Sequence, residues 1–383
     1  MTPFSRRRWL AEASLLATLP HLLWSLEADE ELVDFADADR FKVEIQPSHP
    51  RVKAFDLRTL ANPIPPTEDF FVFHQTTVPE IDPLTWKLTV GGALEKPVTL
   101  TLPDLSRRPQ QDLEFAIECS GNMPRPDTLN GQIGNARWRG INLASLLNAC
   151  GLKADAREVV FFAADHIYDA AGKPVRPYGR SVFIQDALHE DAILATEMNG
   201  RPLSPEHGFP VRLILPGWYG MAQVKWLTRI EVIDRRYEGL QMSRNYHTFH
   251  ALESGGDPLI METSISRTRL KSVVARVSRR RRSAAWSYRV GGIAWGGTTP
   301  IDRVEIKVDS GAWQPTRLER RGKYAWQPWS FDWGTVQPGP HTLTSRAIDR
   351  DGRLQPTSAE LTEAIRSARE NHAQWERSIV IPA

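Results

Sequence analysis

From Lys271 onward, apolar residues recur at almost every second position, and that period confines what the end of the chain can become. Val304, Ile306 and Val308 fall on one side of such a run, with Arg303, Glu305, Lys307 and Asp309 on the other, ahead of a turn at Asp309-Ser310-Gly311. Alternate side chains of a strand point to opposite faces, so the pattern predicts strands with one dry face and one wet face. Several such strands within roughly 100 residues predict an all-β, immunoglobulin-like sandwich, here over 265–383. Trp295, Trp313, Trp326, Trp329 and Trp333 supply large pieces for its core or for an interface.

The preceding residues have a different texture. At 383 residues the chain exceeds the size at which a single core stops growing, about 250 to 300 residues, so a second unit is required. Over 67–253 the pattern mixes the two periods. Trp86 to Val90 alternates and closes at Gly91-Gly92, and Val98-Thr99-Leu100 leads to a helix start at Pro103-Asp104-Leu105. Leu143, Leu146 and Leu147 sit at helical spacing in a run ending at Gly151. Glu158 to Phe162, Val211 to Leu215 and Val224 to Ile233 read as strands. The fold class is therefore α+β: a mixed α/β domain followed by the sandwich. Residues 31–66 are charged and proline-punctuated and read as an extended arm, and Ser254 to Pro258 reads as a linker.

Ser5-Arg6-Arg7-Arg8-Trp9-Leu10 precedes a modest apolar run, Ala13 to Trp24, which matches a twin-arginine leader over residues 1–30. The run is shorter than the roughly 20 residues a membrane span needs. Such a leader predicts periplasmic export of an already folded protein. The net charge of +2 supplies no field for nucleic acid, and the run Arg279 to Arg282 reads as a solvated or partner-docking surface. With two cysteines, Cys119 and Cys150, neither a disulfide scaffold nor a four-cysteine zinc site can be built. No C-x-x-C-H occurs, so no c-type haem is attached.

Cys119 follows the apolar run Phe115-Ala116-Ile117 and enters a turn, Ser120-Gly121-Asn122. A cysteine at a strand end faces a cleft, where it serves as a metal ligand or a nucleophile; a buried core thiol is the plainer alternative. Cys150, among leucines, takes that plainer reading. His207, Arg212 and Lys225 stand beside glycine turns, as cations that could meet a phosphate.

Taken together, several stretches resemble the sulfite oxidase family: Trp138-Arg139-Gly140, Tyr178-Gly179-Arg180-Ser181, Glu197 to Leu203, His207 to Arg212, Val224-Lys225-Trp226-Leu227, and Gly292 to Gly297 in the C-terminal part. The resemblance implies a molybdenum-molybdopterin cofactor with Cys119 as its thiolate ligand. It implies that Phe73, His74, Gln75, Asp165, His207, Arg212, Gln223, Val224 and Lys225 hold the pterin and its phosphate. It places Tyr246 beside the metal as a hydrogen-bond donor, with a loop tyrosine closing the first domain as the alternative. It further implies oxidation of sulfite or a related sulfur compound at a Mo-oxo centre, electron transfer to an external acceptor such as cytochrome c, and a homodimer formed by the C-terminal domain. A sulfane dehydrogenase-type subunit acting on carrier-bound sulfur is the alternative within this class. A binding or scaffold protein that kept the fold and lost turnover is the alternative outside it.

The chain departs from the family pattern where charge is at stake. Phe73 stands where sulfite-oxidising members carry an arginine, and Met123-Pro124 stands near a second such position, with Arg125 next to it and assigned that role. Arg366 or Arg369 corresponds to a third arginine.

Overall fold

The computed structural model describes residues 29–382 except 39–40, 43, 47–51, 76, 126, 169–172, 253–258, 284 and 367–368. The leader motif and the linker Ser254 to Pro258 lie outside the described residues.

Alternation in Gln110–Glu118 decides how the two halves meet. Phe115 and Ile117 turn into one core with Phe70, Trp138 and Ile214. Ala116 turns the other way, into a cluster with Val273, Ile293, Trp295 and Trp326 of the C-terminal half. The strand that ends at Cys119 is thus packed between the domains, an outcome of its period of two.

Within the first domain, that strand belongs to an antiparallel sheet ordered Arg201–Pro202, Ile193–Met198, Ile133–Asn142, Gln110–Glu118, with Arg212–Ile214 added beside Ile193–Met198. A second sheet runs Pro174–Phe183, Glu158–Tyr168, Leu227–Ile233, Leu88–Gly92, Val98–Leu100, with Leu227–Ile233 and Leu88–Gly92 parallel. Their shared core gathers Leu88, Val90, Phe161, Leu194, Leu213 and Ile230. Helix Leu143–Cys150 feeds Leu143, Leu146, Leu147 and Cys150 into it. Asn142 caps this helix, accepting from Ser145 N at 2.8 Å, and Gly151 ends it at a positive φ of 72°.

The expected mixed α/β character is present, with strands predominating. This eight-residue helix is the longest among the described residues. Gly91-Gly92, read as a turn, continue the strand Leu88–Gly92. The strand read from Val224 begins at Leu227, because Gly220–Ala222 forms a 3-10 turn and Trp226 takes a left-handed φ of 52°.

The C-terminal half is built of two antiparallel sheets. One is ordered Glu30–Val33, Lys271–Arg282, Ala285–Trp295, Gln327–Gly334, Arg317–Leu318; the other Gln314–Pro315, Ile301–Val308, Gly339–Asp349, Glu376–Ile381. Val277, Val290 and Trp329 of the first meet Val304, Ile306, Leu343 and Ile379 of the second in one core. A Cβ on Gly292 would lie 2.0 Å from Trp329 Cζ2, so only glycine lets the indole rest on that strand. Of the five tryptophans, Trp295 and Trp326 pack between the domains, Trp329 fills the sandwich core, Trp333 packs against it, and Trp313 lies beneath Arg346 at 4.1 Å. The basic run belongs to this sheet: Arg279 pairs with Glu31 at 2.5 Å and lies over Trp286 at 4.3 Å.

A small three-stranded sheet, Leu259–Ser264, His247–Leu252, Ile365–Arg366, ties the chain's late segment back to the edge of the first domain. No helix of the described residues is long and apolar enough to cross a membrane.

Candidate active site

The cleft that contains Cys119 encloses about 790 Å³, open solvent included. Its lining brings together Phe73, His74, Gln75, Cys119, Asp165, His207, Arg212, Gln223, Val224, Lys225 and Tyr246, residues from six separate stretches of sequence.

Cys119 begins the turn after Gln110–Glu118. Its N–H donates to Gln132 O at 2.9 Å and its carbonyl accepts from Asn122 N at 2.9 Å, which leaves the thiol as the group facing the cleft. Burial pushes that thiol up to about 11; the Gly121 N–H opposes the shift, Glu118 adds to it, and Arg369 and Arg125 pull it back. A bound metal is what would draw the proton off at neutral pH.

Tyr246 stands on the far wall, its phenol pushed up to about 12 by burial and by Cys119. Gln75 Nε2 donates to the phenol oxygen at 2.8 Å, and Gln241 Nε2 holds Gln75 Oε1 at 2.7 Å. With Gln75 on an acceptor position of that oxygen, the phenol's own proton is left to donate.

Two buried cations, Arg212 and Lys225, line the same cleft. Arg212 donates only to carbonyls, His207 O at 2.9 Å and Gln223 O at 3.3 Å, and stacks on Trp138 at 4.8 Å. Lys225 Nζ contacts Phe73 O at 3.1 Å, Glu206 O at 3.0 Å and His74 Nδ1 at 2.9 Å. Among the described residues neither forms an ion pair with a carboxylate. Burial alone brings Arg212 down to about 9, and burial with Arg212's repulsion brings Lys225 down to about 7. His207 falls to about 3, again from burial first and then from Arg212 and Lys225, so it is neutral and its Nε2–H faces Thr67 O at 3.2 Å.

Arg125 falls outside the cleft lining, and Gln223 stays within it with its side chain already occupied. Gln223 lines the cleft, but its amide is committed to a loop brace: Oε1 accepts from Leu215 N at 2.6 Å and Nε2 donates to Leu215 O at 2.8 Å and Trp218 O at 2.9 Å. Arg125 is not among the lining residues; its guanidinium pairs with Asp127 at 2.9 Å and reaches Cys119 only as a charge through space. The arginine that comes closer is Arg369, 5.3 Å from the Tyr246 ring centroid. Sequence reasoning also passed over Glu118 and Lys271, whose buried ion pair at 3.1 Å lies directly behind the Cys119 turn.

This arrangement can be set beside known proteins. Residues 74–241 match the oxidoreductase molybdopterin binding domain, and residues 262–381 match the Mo-co oxidoreductase dimerisation domain. Mitochondrial sulfite oxidase of Drosophila melanogaster is 32% identical over 329 residues, covering 77% of this chain and 56% of that protein. The chain belongs to the sulfite oxidase family. Human mitochondrial sulfite oxidase is 30% identical over 328 residues, 77% of this chain and 58% of that protein. Nitrate reductase [NADH] 1 of Phaseolus vulgaris is 29% identical over 331 residues, 76% of this chain and 37% of that protein. The chain spans little more than half the length of the sulfite oxidases it matches. The sulfane dehydrogenase SoxCD from Paracoccus pantotrophus superposes with a TM-score of 0.74 at 23% identity, over 96% of this chain and 95% of that one, and so shares its fold.

The family's cofactor is molybdenum-molybdopterin, and the residues present fit it. A soft sulfur donor lines the cleft at Cys119. The same cleft holds two cations that pair with no carboxylate among the described residues, one of which, Arg212, keeps a buried Nε with no acceptor among them. A phosphate supplies what those cations lack: negative charge and several acceptor oxygens.

Proposed function

We propose that this protein is a molybdopterin-dependent oxidoreductase that oxidises sulfite or a related sulfur compound and passes the electrons to a separate acceptor such as a cytochrome c. The observation that carries the reading is one cleft that brings together a single thiol, Cys119, a phenol, Tyr246, and two buried cations, Arg212 and Lys225. When bound, the cofactor supplies the two-electron redox chemistry, which no side chain here can perform. Cys119 Sγ is the protein's ligand to the metal. Arg212 and Lys225 hold the phosphate, with His74, Asp165 and the neutral His207 framing the pterin. Tyr246, fixed by Gln75, donates its proton as a hydrogen bond to the reacting group. A scaffold that has lost turnover is the contrary reading; such a protein would purify without molybdenum.

Phe73 sets the substrate question. Its ring packs against the Phe70 and Trp138 cluster and brings no charge to the cleft. Against a dianion, a missing charge-assisted contact costs about 1.5–3 kcal/mol, or roughly ten- to a hundredfold in affinity. With sulfite as substrate, Phe73→Arg is expected to raise kcat/KM for sulfite by about that factor, measured with ferricyanide as acceptor. With a neutral or carrier-bound sulfur compound as substrate, the same variant loses activity toward that compound and gains nothing useful with sulfite. Sulfite remains the leading substrate, with Arg369 beside Tyr246 as a cation for it, and a sulfane dehydrogenase-type activity is the alternative that the apolar Phe73 raises.

The organisation proposed is a leader over 1–30, an arm over 31–66, the molybdopterin domain over 67–253 and an immunoglobulin-like dimerisation domain over 265–383, in a periplasmic homodimer. Replacing Arg6 and Arg7 with lysine is expected to strand the protein in the cytoplasm with its cofactor loaded. Undiminished appearance in a periplasmic fraction would count against the twin-arginine route.

A further inference from the structure

We propose that Lys271, a residue of the second domain, is a positioning residue for the metal-ligating turn at Cys119; this rests on the reading of Cys119 as the molybdenum ligand. Lys271 opens the strand Lys271–Arg282 and is 1% exposed. Its ammonium spends its donors on three acceptors: Glu118 Oε1 at 3.1 Å, Asn122 O at 2.6 Å and Asn371 O at 3.1 Å. Glu118 immediately precedes Cys119 and Asn122 follows three positions on, so one nitrogen clamps both the entry and the exit of the turn. The remaining polar groups of the turn close on one another. Asn122 Nδ2 donates to Glu118 Oε1 at 3.1 Å, Asn122 Oδ1 accepts from Gln132 N at 3.1 Å, and Trp295 Nε1 donates to Glu118 Oε2 at 2.8 Å.

Two of the three outside groups that hold this turn, Lys271 and Trp295, come from the second domain. A buried ion pair is an inefficient way to stabilise a fold, since apolar residues of the same volume often do as well or better. Its distinctive property is direction: a charge-assisted contact fixes the angle and distance of what it holds, and here it holds the backbone on both sides of the thiol. A ligand displaced by a fraction of an ångström is held less firmly by the metal, and outer partners of this kind typically change metal affinity or activity by about ten- to a hundredfold.

The test uses the full-length, cofactor-loaded protein. The double variant Lys271→Met with Glu118→Gln removes both charges together, so no uncompensated charge is left buried. It is expected to unfold somewhat below the wild-type temperature, since Asn122 O and Asn371 O lose their donor, to release molybdenum about ten- to a hundredfold faster on dialysis, and to show altered metal–sulfur distances by X-ray absorption. Wild-type release rate and wild-type distances in a stable double variant would make the pair a structural element only and overturn the proposal. If the double variant does not fold, Lys271→Arg keeps the charge while its planar head cannot meet Glu118, Asn122 and Asn371 in the same places; faster release supports the proposal and unchanged release with unchanged distances overturns it. Cys119→Ser, measured in parallel, separates the two levels: metal–sulfur coordination unaltered in that variant defeats the ligand assignment itself, whatever Lys271 does.

Discussion

Cys119→Ser is expected to fold normally and to lose turnover by more than about a hundredfold, since even changes to partners outside a metal's ligand shell typically cost ten- to a hundredfold. The substitution is nearly isosteric, and the contacts that hold residue 119 are backbone ones, to Gln132 and Asn122, which serine keeps. What changes is the donor. A hydroxyl is harder and far less acidic than a thiol, so it is a poor substitute for a soft thiolate at neutral pH. X-ray absorption of the variant should show one fewer sulfur around molybdenum. Cys150→Ser provides the contrast: it places a hydroxyl among Leu146, Leu147 and their neighbours, lowers stability, and leaves the metal's surroundings alone. Full activity of Cys119→Ser with unchanged coordination would remove the central assignment.

The second large effect concerns Lys225. Losing its charge-assisted contact to the cofactor's phosphate should weaken retention by about ten- to a hundredfold, from a contact worth about 1.5–3 kcal/mol. Pterin fluorescence released by Lys225→Met on gel filtration measures this. The cofactor-free proteins should also differ in pH dependence. Burial, then Arg212, brings the folded-state ammonium to about 7 from its usual 10.5, with Asp165 and Glu206 offsetting only part. Between those values the unfolded chain binds the proton that the folded chain has released, so stability rises with pH across that window. Below about 7 both states are charged and the folded state carries the full penalty. Thermal midpoints of the cofactor-free wild type should therefore climb from pH 7 toward the ordinary lysine range by more than those of Lys225→Met. Parallel slopes together with equal pterin retention would show that Lys225 meets no phosphate.

These residues were readable because their signals are local. Cys119 sits between an apolar strand and a glycine turn, and His207 precedes Gly208, whose missing side chain lets Arg212 and Lys225 crowd against it. Other parts of the site depend on pairings that no local pattern carries. Lys271 meets Glu118 across 153 positions, and Arg369 reaches Tyr246 because Ile365–Arg366 pairs with His247–Leu252. Arg125 was correctly near and wrongly aimed, since Asp127, two residues on, captures it. Gln223 lines the cleft as assigned, while its amide braces a loop, a choice of partner that amide chemistry leaves open. Both helices read from the sequence are present, at Leu102–Ser106 and Leu143–Cys150, and the apolar run from Glu158, read as a strand, is one.

The strand Glu30–Val33 has no partner near it in the chain; Glu31 and Arg279, which join it to Lys271–Arg282, are 248 positions apart. At synthesis rates of about 5–20 residues per second, roughly 12–50 s separate the emergence of the two from the ribosome. During that interval, and for as long afterwards as Glu30–Val33 is held elsewhere, the edge of Lys271–Arg282 presents bare N–H and C=O groups that another chain could take. The order of assembly is thus the reverse of the order of translation: an early strand is laid down late, and it closes the sheet that the end of the chain has built.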